Sequence, residues 1–357
     1  MGHAQRHLFG RLIASVLAAT IAALAAPPAL AQSPQQIDAC ANRDHALTPD
    51  LRITACTTMI QPGREPVKSL APYYVDRCWA YNEKNDYDRA MQDCNEAIRI
   101  DPANVNAFIG RGAVYGRKGD VDRAIADFDA ATRLDPKLAA AFDNRGIAYK
   151  AKGALDRAIA EFNEAIRLDP KRATAFHGRG DAYKAKGDLD HAIADYDKGI
   201  QLAPKQADNY FGRGIANLYG GSLPKALADL DQASKLDPKD AYAALWLDIV
   251  DKRSDLASRL PQDIAQIDMT RWPAPVIRMF LGQMEAQAVL AAADDANAHT
   301  KSGQVCEANF YSGALALRQG AKDQATRLFR LAVADCPKDF IELHAANVEL
   351  KTLGVTP

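Results

Sequence analysis

The 357-residue chain has no excess of charge of either sign: Lys and Arg total 44, Asp and Glu 45. A surface of mixed sign raises no field that would draw in nucleic acid, so nucleic acid is not an expected partner. The apolar run from Leu12 to Ala26 falls short of the about 20 residues a helix needs to cross a bilayer, so stable insertion is not expected; the alternative is an uncleaved anchor that extends the Ala-rich stretch to Ala31 into a poor span. Cysteine is missing from the middle of the chain, between Cys94 and Cys306, and no two cysteines have the Cys-x-x-Cys spacing of common zinc sites. Also absent are a His-Glu-x-x-His pair, a Gly-x-Ser-x-Gly elbow and a phosphate-binding Gly-rich loop ending in Lys-Ser/Thr. His45, His177, His191, His299 and His344 show no metal-ligand spacing, and Asp127/Asp129 and Asp195/Asp197, two apart on a helix, do not face each other as an acid/base dyad. The expectation is a protein without metal or cofactor that catalyses nothing.

What is present begins with an export pattern. Arg6 and Arg11 precede the apolar run, Pro27-Pro28 break it, and Ala29-Leu30-Ala31 supplies the small residues of a cleavage site. Residues 1–31 are therefore expected to be a cleaved Sec-type signal peptide, with the mature chain in the periplasm or secreted. No cysteine follows the cut, so no lipid anchor is expected. All six cysteines lie beyond it, where an oxidising compartment favours disulfides.

A fixed period organises the centre. Pro102, Pro136, Pro170, Pro204 and Pro238 are each 34 residues apart, and four of them follow an Asp. With each proline at position 32, the units are 71–104, 105–138, 139–172, 173–206 and 207–240. Position 8 is then Cys78, Gly112, Gly146, Gly180 and Gly214, and position 20 is alanine at Ala90, Ala124, Ala158, Ala192 and Ala226. Position 27 is Ala97, Ala131, Ala165, Gly199 and Ala233, while Phe128, Phe162, Tyr196 and Leu230 stand at position 24 and Tyr81, Tyr115, Tyr149 and Tyr183 at position 11. Small residues at fixed places let helices approach, and large ones fill the space between them. Gly119, Gly153 and Gly187 mark the turn inside each unit, with Asp120 or Asp188 opening the second helix. Each Asp-Pro is expected to cap the next unit with proline at its first helical position. Gly220-Gly221 with Pro224 makes the fifth turn look irregular, as though the array changed direction or ended its regular part there.

The period and these positions resemble the tetratricopeptide-repeat family over residues 71–240, and residues 306–339 fit the same frame through Gly313, Ala325, Phe329, Ala332 and Pro337. The resemblance implies an all-α, right-handed superhelical solenoid of antiparallel helix pairs. Around the five repeats stand a degenerate helical unit at 32–70, irregular or partial repeats at 241–305 and a closing helix at 340–353. Cys78 and Cys94 fall at the facing positions 8 and 24, and Cys40 and Cys56 have the same spacing. Cys306 and Cys336 lie at the outer ends of one hairpin. The pairs drawn are Cys40–Cys56, Cys78–Cys94 and Cys306–Cys336, stapling units that have one neighbour only.

Positions 2, 5, 9 and 12 of the first helices line the concave wall of such a stack. They nominate Asn106, Ile109, Asp143, Ile147, Lys150, Thr174, His177, Asp181, Lys184, Asp208, Phe211 and Ile215 as the partner-binding groove. Phe211 and Ile215 are the apolar anchors, and His177 stands one helical turn from Asp181. Arg77, Arg111, Arg145, Arg179 and Arg213 recur at position 7 as a ladder expected to pair with Asp or Glu of the neighbouring unit. Repeats resembling the chaperone-binding kind hold a terminal carboxylate with Lys at position 5 and Asn at position 9; this chain has Ile109 and Ala113, or Asp143 and Ile147, at those places.

Residues 271–354 carry a second resemblance, to bacterial cell-envelope tetratricopeptide lipoproteins that dock proteases and cell-wall hydrolases. It rests on Trp272, Phe280-Leu281-Gly282, Phe310-Tyr311 with Gly313, and Glu349-Leu350. The chain lacks their lipid-bearing cysteine, so tethering is not implied. The reading reached is an exported scaffold or adaptor for protein or peptide partners of the cell envelope, such as an envelope protease or cell-wall hydrolase. A self-assembling homo-oligomeric repeat protein is the alternative, and an envelope hydrolase the remote third.

Overall fold

The computed structural model describes residues 34–41, 47–61, 66–338 and 340–356; the expected signal peptide and His45 lie outside the described residues. All regular structure among these residues is helical. No helix of theirs is long and apolar enough to cross a membrane. Helices α1 (Pro34–Ala41) and α2 (Pro49–Ile60) lead into five hairpins. These are α3 (Ala71–Glu83) with α4 (Tyr87–Ile100), α5 (Val105–Arg117) with α6 (Val121–Leu134), α7 (Ala139–Ala151) with α8 (Leu155–Leu168), α9 (Ala173–Lys186) with α10 (Leu189–Leu202), and α11 (Ala207–Tyr219) with α12 (Leu223–Leu236). Then follow α13 (Ala241–Arg253), three short helices α14 (Leu260–Asp263), α15 (Ala274–Phe280) and α16 (Ala286–Ala292), a last hairpin α17 (Ala298–Arg318) with α18 (Lys322–Asp335), and α19 (Ile341–Thr352). From α3 to α12 each helix packs on its hairpin partner and each hairpin on the next, giving a right-handed superhelical solenoid.

The interlock within and between hairpins is aromatic on glycine. A Cβ added at Gly146 would lie 2.8 Å from the Phe162 ring, and one at Gly178, in the following unit, 2.5 Å from the same ring. Phe162 is fully buried between the two glycines, so position 6 of the next repeat is as constrained as position 8 of its own. Gly212 meets Tyr196 in the same way, at 2.6 Å. Gly178→Ala should therefore cost about 1–3 kcal/mol by overpacking, despite the higher helix propensity of alanine. Urea unfolding checks this; an unchanged or raised midpoint would show that the ring has room to move.

Turns inside the hairpins follow one rule. Gly119, Gly153, Gly187 and Gly221 all take positive φ, between 76° and 82°, and Asn85 takes 59° at the same place in the first unit. The fifth turn is thus regular, contrary to expectation: the Ser222 amide donates to the Asn217 carbonyl at 2.8 Å, as Asp188 does to Tyr183 at 3.0 Å. Gly221 alone supplies the left-handed residue, and Pro224 fits in the first turn of α12. The Asp-Pro pairs also differ from expectation. Pro102, Pro136 and Pro170 lie three residues ahead of α5, α7 and α9 rather than at their first helical position. Their aspartates hold the inter-unit turn instead, Asp135 accepting from the Lys137 amide at 2.9 Å and Asp169 from that of Lys171 at 3.0 Å. This is the local Asx turn that short carboxylates favour. Asp120 and Asp188 do cap α6 and α10.

Position 7 ties the stack together. Arg111 clamps Asp127 of its own hairpin with two nitrogens at 2.8 and 2.7 Å and reaches back to Asn95 of the preceding one. Arg179 treats Asp195 and Asn163 likewise, and Arg213 grips Asp229 and Asp197. The main partner is thus within the unit, and the neighbouring unit receives only the third arm. Arg145, with Glu161 where the others have Asp, divides itself between Glu161 and Asp129. Asp127 and Asp129 prove to be rungs of this ladder, each facing a different arginine.

Disulfides join Cys40 to Cys56, Cys78 to Cys94 and Cys306 to Cys336, with Cα separations of 4.7, 5.6 and 4.7 Å. From α11 onward the small inter-unit cores merge into one cluster containing Trp246, Phe310, Tyr311, Phe329 and Leu350. Helix α13 is buried over most of its length, Asp248 and Asp251 included.

Candidate functional site

The closing helix does more than cover the last hairpin. It packs on α17 and α18, and its other side turns into the concave face of the solenoid. Glu349 accepts from the Tyr219 hydroxyl at 3.4 Å and pairs with Arg253, and the His344 ring stands edge-on to Tyr219 with centroids 6.2 Å apart. Lys338, just ahead of α19, lies against Gly153 in the third repeat. The chain's own C-terminal segment thus reaches the inner wall of repeats three to five.

This sorts the residues expected to form the groove. Ile109 and Ile215 are buried, 6% and 0% exposed, and belong to inter-helix cores. Asp143 is 2% exposed and accepts from Arg172 and from Thr174, each at 2.7 Å. None of these three presents a surface, and Phe211 packs against the C-terminal core. Lys150, His177, Asp181 and Lys184 come together: Asp181 lies 2.6 Å from Lys150, 3.2 Å from Lys184 and 3.6 Å from the His177 ring, and accepts from the Tyr196 hydroxyl at 2.7 Å. Burial alone would raise this carboxyl, but Lys150, Lys184 and His177 outweigh it and hold it well below the usual carboxylate range. Asn106, Ile147 and Asp208 remain exposed.

The network borders a cleft of about 210 Å³ whose far wall is Phe340, Ile341 and His344. Burial, with Lys184 and Lys351 nearby, pushes the His344 imidazole down to about 4, so it is neutral at ordinary pH. Its Nε2 is buried without a hydrogen-bond partner. Among the described residues no group of three His, Cys, Asp or Glu could hold a metal ion.

A second opening, of about 420 Å³, lies on the first three repeats, clear of α19. Its floor is Gly112, Ala113 and Gly116 with Ala148 and Ala151; Trp79 and the 47%-exposed Ile147 are its walls. Asn82, Arg117 and Asn144 supply the polar edge. Of these Ile147 belongs to the expected groove, and Ala113 stands at position 9 of the same expected wall. Trp79 and Asn82 occupy positions 9 and 12 of the first repeat, where the same wall rule would have found them had the wall been read from that repeat. Arg117, at position 13, lies outside the rule.

Profiles described as TPR repeat match residues 80–119, 146–187 and 180–219, and one described as tetratricopeptide repeat matches 105–138. Similar solved structures include MamA, 27% identical over 48% of this chain and 94% of its own, with a TM-score of 0.40. Pseudomonas aeruginosa PilF is 17% identical over 61% of this chain and 99% of its own, with a TM-score of 0.51. Cut9–Hcn1 of the APC/C is 17% identical over 68% of this chain and 50% of its own, with a TM-score of 0.55. The latter two share the fold. By its period, its interlocked helix pairs and these matches, the chain carries tetratricopeptide repeats over residues 80–138 and 146–219.

Proposed function

We propose that this protein is a scaffold that holds a protein or peptide partner on the concave face of its first three repeats, and that it works outside the cytoplasm in the bacterial cell envelope. The observation that carries the first part is the 420 Å³ groove, which no segment among the described residues occupies. The second part rests on the order of residues 1–31 and on three disulfides, which persist where the surroundings are oxidising. An envelope protease or a cell-wall hydrolase is the partner class suggested by the residues of the C-terminal third. Among the described residues, exposed large apolar side chains such as Leu51, Leu134, Leu256, Leu290 and Leu331 come from separate elements, so no one helix face presents a row of them for self-assembly.

A photo-crosslinking residue placed at Ile147 tests the docking face in living cells. Adducts to a partner at this site, absent when the crosslinker replaces exposed Leu134 on α6, are expected. Adducts only to further copies of the chain would favour the self-assembling alternative. In the same cells the protein should be found in the periplasmic or secreted fraction, beginning after Ala31; a full-length chain retained in the cytoplasm would sink the export reading.

A further inference from the structure

We infer that the groove on the first three repeats takes an extended peptide carrying a large apolar side chain beside an acidic one; this rests on the concave face being the docking surface. Three independent features point to that occupant. The floor is built of glycine and alanine between the Trp79 and Ile147 walls, and a Cβ added at Gly116 would meet nothing within 4 Å. That is the shape of a receptacle for one large apolar side chain. Asn82, 9% exposed, turns an Oδ1 into the structure that has no hydrogen-bond partner. That oxygen is closed to solvent, so what Asn82 offers a passing main chain is the rest of its carboxamide at the polar edge of the groove.

The third feature is charge. Neighbouring basic residues are neutralised within the chain: Arg111 by Asp127, Lys118 by Asp88 and Arg123 by Asp120. Arg117, exposed on the rim, pairs with no carboxylate among the described residues. At the equivalent position of the first repeat stands Glu83, already paired with Arg52, and in the third and fourth stand Ala151 and Ala185. A single forked cation at the edge of an apolar groove selects a carboxylate next to the buried side chain.

The test is selection of end-blocked, randomised heptapeptides on the full chain and on two variants. Gly116→Leu puts a side chain into the groove from an exposed helical site where the added Cβ meets nothing within 4 Å, and Arg117→Glu reverses the rim charge without breaking a pair. The intact chain should enrich Leu, Phe or Met adjacent to Asp or Glu. Gly116→Leu should lower recovery by about tenfold or more. Arg117→Glu should keep the apolar preference and exchange Asp and Glu for Lys and Arg. Enrichment without an acidic preference, or indifferent to Gly116→Leu, overturns the inference. If binding survives Gly116→Leu but is lost with a third variant, Asn106→Trp, on the exposed wall of the second repeat outside this groove, the docking face stands and this groove does not. No enrichment with any version, together with a sedimenting dimer that Gly116→Leu dissolves, would overturn both and make a second copy the occupant.

Discussion

Unfolding measured between pH 5 and pH 9 should show the C-terminal third losing stability as the pH rises, most clearly between 6.5 and 8. Two buried carboxyls drive this. Glu342, 2% exposed, is pushed up to about 8 by burial and by Glu307, and accepts from the Tyr311 hydroxyl at 3.0 Å. Glu307 is pushed up to about 7 by burial, although Trp272 at 2.6 Å and Tyr242 at 3.0 Å donate to it. In the unfolded chain both would lose their protons near 4.5. Above that pH the folded state binds more protons than the unfolded one, so raising the pH favours unfolding until both groups have ionised. His344 works in the opposite sense up to its unfolded value of 6.5, which offsets part of the slope below that pH. The loss from 6.5 to 8 should be on the order of 2 kcal/mol. Glu342→Gln should flatten the profile, with the fluorescence of buried Trp246 as a local reporter. A flat profile in the parent protein would mean that both carboxyls ionise in the folded state at no cost.

Replacing Arg253 by methionine should be as damaging. Glu349 is 3% exposed and depends on Arg253 for its charge, with Tyr219 donating from 3.4 Å. Removing the cation leaves a buried carboxylate without its charge partner, while the exposed Arg253 position lets water take part of its place, and the expected cost is about 1–3 kcal/mol. The loss should be concentrated in α19, whose amides would exchange with solvent much faster while those of α5–α8 stay protected. Adding Glu349→Leu to Arg253→Met should recover most of the stability, since two apolar groups replace the pair. If the double variant is as weak as the single one, the interaction is not what holds the helix in the concave face.

Local rules carried far in the sequence, and long-range ones did not. The 34-residue period, the glycines at position 8 and the alanines at position 20 are repeated choices, each visible because its neighbour makes it again. Gly178 and Gly212 escaped notice because their partner rings come from the preceding unit. The return of α19 to the inner wall could not be read from a period: Tyr219 and Glu349 are 130 residues apart and meet because the superhelix curves. For the same reason Ile215, apolar on a nominal groove surface, turned out to be a packing partner, while Phe211 packs on the C-terminal core and still lines the cleft. Helix α13 gave little phase to follow, since Leu245, Trp246, Leu247, Ile249 and Val250 are all buried together. What marked Arg117 was a missing carboxylate, and which carboxylates reach which arginines is decided by how the hairpins stack.

The six cysteines pair in order along the chain, first with second, third with fourth and fifth with sixth, over separations of 16, 16 and 30 residues. Six cysteines allow about 15 full pairings, yet here the native one is also the one reached by joining thiols in the order in which they emerge during synthesis. An oxidant meeting the chain as it lengthens would therefore close each hairpin before a competing thiol arrives, and the long stretch without cysteine between Cys94 and Cys306 keeps the two ends from exchanging partners. Oxidative maturation of this solenoid has no wrong turn to correct so long as it begins at the N-terminal end.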